Sequence, residues 1–329
     1  MSDFVVSVRN IKKKAGALAF GNEPGPSSFL IVPAKEKTPK PDHSIDQDRW
    51  VLNVLKEAIS GKNEITGKPM GDILVFIHGY NNSQEVVLQR HRRLEADLKK
   101  AGYRGAVISF DWPSAQSSLN YLEDRDDAQD TSKMLRDDCI SLFSNQQAAG
   151  CEINVHLLAH STGAYVIRHA FAKADEKTAI KNIPWTVSQV VFIGGDISSR
   201  SLSAEDSKSE SLYRHCVRLT NYQNPFDSVL KLSNTKRIGL SPRVGRVGLP
   251  ENAHPKAVNV NCGRHFSQLD EAVLTKGEDY YGNFKHSWHI GDETFARDLL
   301  YTITGDIDRK EIPTRKYENG ELFLVKEES

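Results

Sequence analysis

Short, almost wholly apolar runs recur along the chain and alternate with longer amphipathic segments. The apolar runs are rich in Val and Ile and are too short for helices. They lie at Phe4–Val8, Phe29–Val32, Ile73–Ile77, Ala106–Phe110, Ile153–Leu158, Val190–Ile193, Cys216–Thr220 and Ala257–Val260. Runs of this kind predict strands that are buried on both faces, as in a mostly parallel sheet.

Amphipathic segments separate or follow these runs. They lie at Trp50–Ile59, Asn82–Ala101, Ala164–Phe171 and Phe295–Ile303. In the second segment, Asn82 and Glu85 resemble a capping box. Strands that alternate with helices predict an α/β fold, with a mostly parallel central sheet and helices on both of its faces. The polar stretch Ser198–Ser211 is interpreted as a solvated loop, or as the border of a substrate cleft, because it follows a predicted strand.

Length and charge narrow the class of protein. The 329 residues are enough for a sizeable core, and 43 Lys and Arg residues balance 43 Asp and Glu residues. Because a nucleic-acid binder or a polybasic membrane protein carries excess positive charge, neither is expected. No apolar run approaches the roughly 18 residues of a membrane helix, and the four scattered cysteines form no C-x-x-C pair. We therefore expect a soluble, cytoplasmic protein.

The sequence has partial matches to metal-binding and nucleotide-binding motifs, but none of them is complete. Gly61–Lys68 has one residue too many between its glycines for a phosphate loop, and Pro69 stands where Ser or Thr would bind magnesium. His156 and His160 lie four apart on a predicted strand, where they would be roughly 13 Å distant. There is no G-x-G-x-x-G. The sequence therefore predicts neither a metal nor a cofactor.

A serine stands at a predicted strand-to-helix turn. Residues 159–163 read A-H-S-T-G and follow the strand Ile153–Leu158. A serine hydroxyl is a weak nucleophile and must be lifted clear of the backbone to meet a base and a carbonyl carbon. The nucleophile elbow G-x-S-x-G does this by a strained turn between small residues. Ser161 is therefore the candidate nucleophile, although Ala159 replaces the first glycine.

A second turn supplies candidate oxyanion donors. Residues 73–81 read I-L-V-F-I-H-G-Y-N, a strand that runs into a helix. Acyl transfer creates an oxyanion that two backbone N–H groups usually stabilise. The N–H of Thr162, one residue beyond the serine, and the N–H of Tyr80 are the candidates.

These motifs resemble the esterase and lipase branch of the α/β-hydrolase superfamily, and more narrowly a group of little-characterised bacterial serine hydrolases. The shared features are the residues 73–81 and 156–163 above, with S-F-D-W-P-S at 109–114, Y-L-E-D-R-D-D-A at 121–128 and F-K-H-S-W at 284–288. The resemblance covers roughly residues 70–305. Asp124, Arg125 and Asp127 are interpreted first as a solvated face near a helix start, and their match to the group implies a structural ion-pair role rather than a catalytic one.

The resemblance implies the chain order Ser, acid, His. His286 matches the histidine of the group and precedes the last predicted helix, while His265 and His289 remain alternatives. For the acid, Asp227 follows the later strand and matches the group, and Asp196 after the earlier strand remains the alternative.

The sequence thus predicts an α/β-hydrolase catalytic core over residues 71–305, with an N-terminal elaboration of the same domain over residues 1–70 and a C-terminal tail over 306–329. The expected reaction is the hydrolysis of a small-molecule carboxylic ester through an acyl-serine. Thioesterase or amidase chemistry of the same mechanism, and a hydrolase-like scaffold without catalysis, stay open.

Overall fold

The computed structural model describes residues 2–14, 16–114, 130–142, 152–175, 185–235 and 241–327. Asp124, Arg125 and Asp127, for which the sequence predicts an ion-pair role, lie outside the described residues.

One sheet organises the described part of the chain, with the strand order β11-β12-β10-β9-β8-β7-β5-β6-β1-β2-β3, and β4 pairing with β5 at the side. Its strands are β1 Ser2–Lys14, β2 Ala17–Pro33, β3 Ser44–Ile45, β4 Ile59–Lys62, β5 Pro69–Ile77, β6 Ala106–Asp111, β7 Glu152–His160, β8 Val187–Ile193, β9 Cys216–Gln223, β10 Ala257–Asn261, β11 Arg315–Glu318 and β12 Glu321–Leu324. Each of the eight apolar runs lies within one of these strands, so those eight predictions are confirmed.

The centre of the sheet is parallel and buried on both faces. Strands β5 to β10 pair in parallel, for instance Val75 opposite Leu157. Ile73 and Val75 pack into one hydrophobic cluster, whereas Leu74 and Phe76 pack into the other. Because side chains alternate along a strand, an uninterrupted apolar run supplies both layers at once. The predicted α/β fold is therefore confirmed.

Both ends of the chain extend this sheet. Strand β1 pairs antiparallel with β2 and parallel with β6, with Val5 opposite Ser109. At the opposite edge, β12 pairs in parallel with β10, and β11 pairs with β12. Residues near the N-terminus therefore lie against the core strands.

Helices cover both faces. The longer ones are Gln47–Ala58, Gln84–Ala101, Gly163–Ala174, Ser207–His215, Ser228–Thr235 and Glu293–Thr304. Shorter α-helices are Val244–Val247, Gly263–Phe266, Glu271–Thr275 and Phe284–Ser287, with 3₁₀ turns at Pro41–His43, Ser199–Leu202 and Asp279–Tyr281 and a π-helical turn at Arg136–Ser141. Among the described residues, no helix combines the length and the apolar character needed to cross a bilayer.

Two local predictions are wrong. The helix after β5 is capped by Ser83, whose side chain accepts from the Val86 N–H, because the Asn82 amide instead donates to the carbonyls of Gly79 and Tyr80 at 2.8 and 3.0 Å. The stretch Ser198–Ser211 is not a solvated loop throughout.

That stretch contains the 3₁₀ turn Ser199–Leu202 and the start of the helix Ser207–His215. Ser209 and Ser211 are buried and donate to the carbonyls of Ser201 and Phe171. Serine side chains that satisfy backbone carbonyls make a polar sequence compatible with burial.

Candidate active site

Ser161 stands at a sharp turn between β7, which ends at His160, and the helix that begins at Gly163. Its φ of 55° lies in the left-handed region, where a residue with a Cβ is strained by about 1–2 kcal/mol. The turn is held by its own backbone: the Ser161 N–H donates to the Ile193 carbonyl at 3.1 Å, and the Ser161 carbonyl accepts from the Asp196 N–H at 3.0 Å. This is the geometry of a nucleophile elbow.

Two glycines permit the turn. A Cβ on Gly79 would lie 2.6 Å from the Cβ of Ser161, and a Cβ on Gly163 would lie 2.4 Å from the Ile77 carbonyl oxygen. Both separations are shorter than van der Waals contact allows. Any larger residue at Gly79 or Gly163 would therefore push the end of β5 away from the serine.

The backbone segments that carry the expected oxyanion donors meet at Ser161. Tyr80 directly follows Gly79, which touches the serine from the end of β5. Thr162 follows the serine in sequence and begins the first helical turn, its carbonyl accepting from the Tyr165 N–H at 2.9 Å. The N-terminal end of a helix favours negative charge, because its N–H groups point outward and its dipole is positive there.

His286 and Asp227 form a buried hydrogen bond beside this turn. The His286 Nδ1 lies 2.6 Å from Asp227 Oδ2, while Asp227 Oδ1 accepts from the Leu230 N–H at 2.9 Å. A Cβ on Gly194 would lie 3.3 Å from His286 Cε1 and 3.6 Å from Asp227 Oδ2. Gly194 directly follows Ile193, whose carbonyl binds the Ser161 N–H. His286, Asp227 and Ser161 therefore lie close together at the carboxyl end of β8.

His160, which is named above only as part of a metal pair with His156 that the spacing excludes, lies beside His286. Its ring lies 4.5 Å from the ring of His286 between centroids, and its Nε2–H donates to the His286 carbonyl at 3.1 Å. Burial, with the neighbouring His286 and His289, holds the pKa of His160 well below its usual value. A neutral His160 therefore positions the backbone of His286 without adding charge. No signal marks it, because the second position of the elbow motif admits any residue.

Asn224 fixes the same segment from the other side. Its side chain donates to the Lys285 carbonyl at 2.9 Å and accepts from the Phe226 N–H at 3.0 Å. The loop that carries Asp227 is thereby tied to the turn that carries His286.

The alternative bases occupy other environments. His265 Nε2 lies 3.0 Å from both carboxylate oxygens of Asp292, and Asp292 caps the helix Glu293–Thr304 by accepting from the Phe295 N–H. His289 packs against His160 and Phe295, with no carboxylate partner among the residues described. Burial also holds the pKa of His289 well below its usual value.

The alternative acid is paired with a cation. Asp196 Oδ1 lies 3.1 Å from Arg243 Nε, and both side chains are buried. Its backbone N–H binds the Ser161 carbonyl, so Asp196 lies near the serine while its carboxylate faces Arg243. The structure brings Asp227, and not Asp196, into hydrogen-bond contact with His286.

A buried network supports the end of β5. Arg9 Nε donates to both carboxylate oxygens of Asp111 at 2.9 and 3.0 Å, and its Nη2 donates to the Trp112 carbonyl at 2.9 Å. Burial alone would raise the pKa of Asp111, but the charge of Arg9 and the hydrogen bond to His78 hold it well below its usual value. The Trp112 indole donates to the His78 carbonyl at 2.9 Å. A residue of the N-terminal hairpin thus buttresses the strand that ends beside Ser161.

Comparison with known proteins agrees with this architecture. Residues 57–261, more than half of the chain, match the model of a family described as alpha/beta hydrolase of unknown function (DUF900). The chain belongs to that family of α/β hydrolases. No curated protein matches it.

Three solved structures that match this chain are a lipase and two cutinase or cutinase-like proteins of distant sequence. A cutinase-like protein from Cryptococcus sp. is 15% identical over 74% of this chain and 96% of its own, with a TM-score of 0.36. Aspergillus fumigatus lipase B is 15% identical over 92% of this chain and 69% of its own, with a TM-score of 0.39. A Trichoderma reesei cutinase is 12% identical over 78% of this chain and 83% of its own, with a TM-score of 0.31.

Proposed function

We propose that this α/β hydrolase cleaves a carboxylic ester of a small molecule through an acyl-serine intermediate, with the catalytic core at residues 71–305. The observation that carries the proposal is the 2.6 Å contact of His286 with Asp227, at the strand end where Ser161 adopts a φ of 55°. A histidine oriented by a carboxylate next to an elbow serine is the arrangement that activates a hydroxyl at neutral pH.

The roles follow from the chemistry of the groups. Ser161 Oγ attacks the ester carbonyl carbon, and His286 accepts the hydroxyl proton. The N–H groups of Tyr80 and Thr162 stabilise the oxyanion. As the tetrahedral intermediate collapses, His286 returns the proton to the departing alcohol.

Water completes the cycle. It gives a proton to His286 and attacks the acyl carbon, and the carboxylic acid leaves as Ser161 regains its hydrogen. Asp227 stays ionised throughout and holds the imidazole in the tautomer whose Nε2 accepts.

Labelling by a fluorophosphonate probe tests the proposal. We expect one covalent adduct per chain, mapped to Ser161 by mass spectrometry, because the probe reacts with activated serines. A panel of aryl esters of increasing acyl length, with a matched thioester and anilide, should show turnover with the ester fastest. A folded protein that neither labels nor hydrolyses any member of the panel would instead be a scaffold, and a preference for the thioester or anilide would revise the substrate class.

The identity of the base gives a second prediction. Replacing His286 by Ala should lower turnover by several orders of magnitude. His265→Ala and His289→Ala should retain most activity wherever circular dichroism shows a native fold. If His265→Ala alone were inactive while folded, the base would be assigned wrongly.

A further inference from the structure

Three side chains suited to binding a metal ion converge where β1 meets the helix Gln84–Ala101. Asp3 lies near the start of β1, and His91 and Glu95 lie one turn apart on the helix. One ligand atom from each of the three lies within 4.8 Å of the other two. None of these residues belongs to the proposed catalytic set.

The histidine of this cluster is already oriented as a ligand would be. His91 is fully buried, and its Nδ1 lies 3.0 Å from the Ser109 hydroxyl of β6. Its Nε2 lies 3.9 Å from Asp3 Oδ1 and has no hydrogen-bond partner within the described part of the chain. A buried polar atom left without a partner is unfavourable unless something binds it. A metal-bound histidine typically donates its other ring N–H to a neighbouring oxygen, as Ser109 here permits.

The two carboxylates are also held. Arg92 binds Asp3 through Oδ2 alone, at 2.7 and 2.9 Å, which leaves Oδ1 as the atom nearest His91 Nε2. Glu95 lies 2.9 Å from Lys99. Lys99 also lies 3.1 Å from Glu57, so it keeps an acidic partner if Glu95 turns away. Arg92 and Lys99 each bind one oxygen of these carboxylates, which leaves the other oxygen to coordinate a metal ion.

We propose that Asp3, His91 and Glu95 bind a divalent transition-metal ion such as Zn²⁺, with water completing the coordination, and that the ion fastens β1 to the helix Gln84–Ala101. One imidazole and two carboxylates form a donor set that Zn²⁺ accepts. With bonds of about 2.1 Å, tetrahedral ligand atoms lie about 3.4 Å apart. The ligand atoms, which lie within 4.8 Å of one another, thus need to approach by up to about 1.4 Å.

The sequence alone does not predict this site. Asp3 reaches the helix only through the parallel pairing of β1 with β6. A histidine and a glutamate four residues apart on a helix are too common to signal a metal by themselves. The cluster exists only in the folded chain.

Metal binding by untagged, full-length protein stripped with EDTA tests the proposal. We expect one equivalent of Zn²⁺ per chain by calorimetry, a higher Tm with the metal, and visible absorption bands when Co²⁺ replaces it. His91→Gln and Glu95→Gln should each weaken Zn²⁺ binding at least about 100-fold, by loss of a direct ligand.

Two control variants separate this site from adventitious binding. Glu57→Gln removes the other carboxylate partner of Lys99, and His254→Gln removes an imidazole outside the cluster; both should bind Zn²⁺ as the wild type does. If His91→Gln fails to fold, Glu95→Gln and Asp3→Asn decide through the Co²⁺ spectrum. Substoichiometric binding by the wild type, or equal binding by wild type and Glu95→Gln, would overturn the proposal.

Discussion

Ser161→Ala is expected to abolish fluorophosphonate labelling and to lower ester turnover by about 10⁵-fold or more, with the fold intact. The hydroxyl is the atom that bonds to the acyl carbon in the proposed mechanism, and removing the corresponding serine from a protease costs about 10⁶-fold in kcat. Oxyanion donors and substrate binding account for what activity remains. Turnover of aryl esters, with labelling followed by mass spectrometry, measures both effects.

The left-handed backbone conformation of Ser161 allows a second measurement, the stability of the folded protein. Alanine at φ 55° is as strained as serine, whereas glycine adopts this conformation freely. Ser161→Gly should therefore be inactive but more stable than Ser161→Ala by about 1 kcal/mol in unfolding free energy. Ser211→Ala is a matched control, because it removes a buried serine hydroxyl that binds the Phe171 carbonyl. Wild-type turnover by folded Ser161→Ala would exclude this serine as the nucleophile.

Short-range patterns predict much of this molecule. A strand buried on both faces must be apolar along its whole length, so β5, β7 and β8 are visible in the sequence. The elbow is visible for a similar reason, since a turn that places Gly79 and Gly163 within contact of their neighbours tolerates few residue types. Each strand, and each of the two glycine turns, is a pattern of residues within about ten positions of each other, although the contact of Gly79 with Ser161 joins two distant parts of the chain.

Long-range pairing is what the sequence leaves undetermined. Downstream of Ser161, both His286 and His265 are buried and pair with an aspartate, Asp227 and Asp292 respectively. Either imidazole follows Ser161 in the chain, and nothing in the local pattern of His265 marks it as a partner for a helix cap. Which carboxylate meets which histidine depends on loops that leave different strands, and those loops are placed by the whole sheet.

The position of the N-terminal hairpin is likewise not predicted by local sequence patterns. Its apolar runs predict strands, but pairing of β1 in parallel with β6 is a contact across more than a hundred residues. That pairing brings Arg9 to Asp111 and Trp112, beneath the strand that leads to the serine. A residue outside the range that the family resemblance covers therefore supports the strand that ends beside Ser161, through Asp111 and Trp112. The helix cap is also set by the fold. Ser83 caps the helix in place of the expected Asn82, because the side chain of Asn82 donates to the carbonyls of Gly79 and Tyr80.

Asp227→Asn is expected to lower turnover by about 10⁴-fold, the loss that follows the same change in a serine protease. The amide has almost the shape of the carboxylate, and Leu230 can still donate to its oxygen. Its nitrogen then faces His286 Nδ1 and donates, which forces the imidazole proton onto Nε2. An imidazole protonated at Nε2 cannot accept the proton of Ser161. The loss therefore arises from the wrong tautomer, and KM should change far less than kcat.

Asp196→Asn and Asp292→Asn separate this effect from general damage. Asp196→Asn leaves the buried Arg243 without an ionised partner, and Asp292→Asn weakens a helix cap and the contact to His265. Asp196→Asn should lower the Tm because a buried Arg243 that loses its counter-ion is destabilising, and Asp292→Asn should lower it by removing the negative charge at a helix N-terminus. Both leave the His286 tautomer unchanged. Their kcat should fall much less than that of Asp227→Asn when the three variants are assayed well below their melting temperatures. The opposite ranking, with Asp196→Asn the slowest at equal folded fraction, would assign the acid to the end of β8, where its carboxylate would have to leave Arg243 and turn towards the imidazole during catalysis.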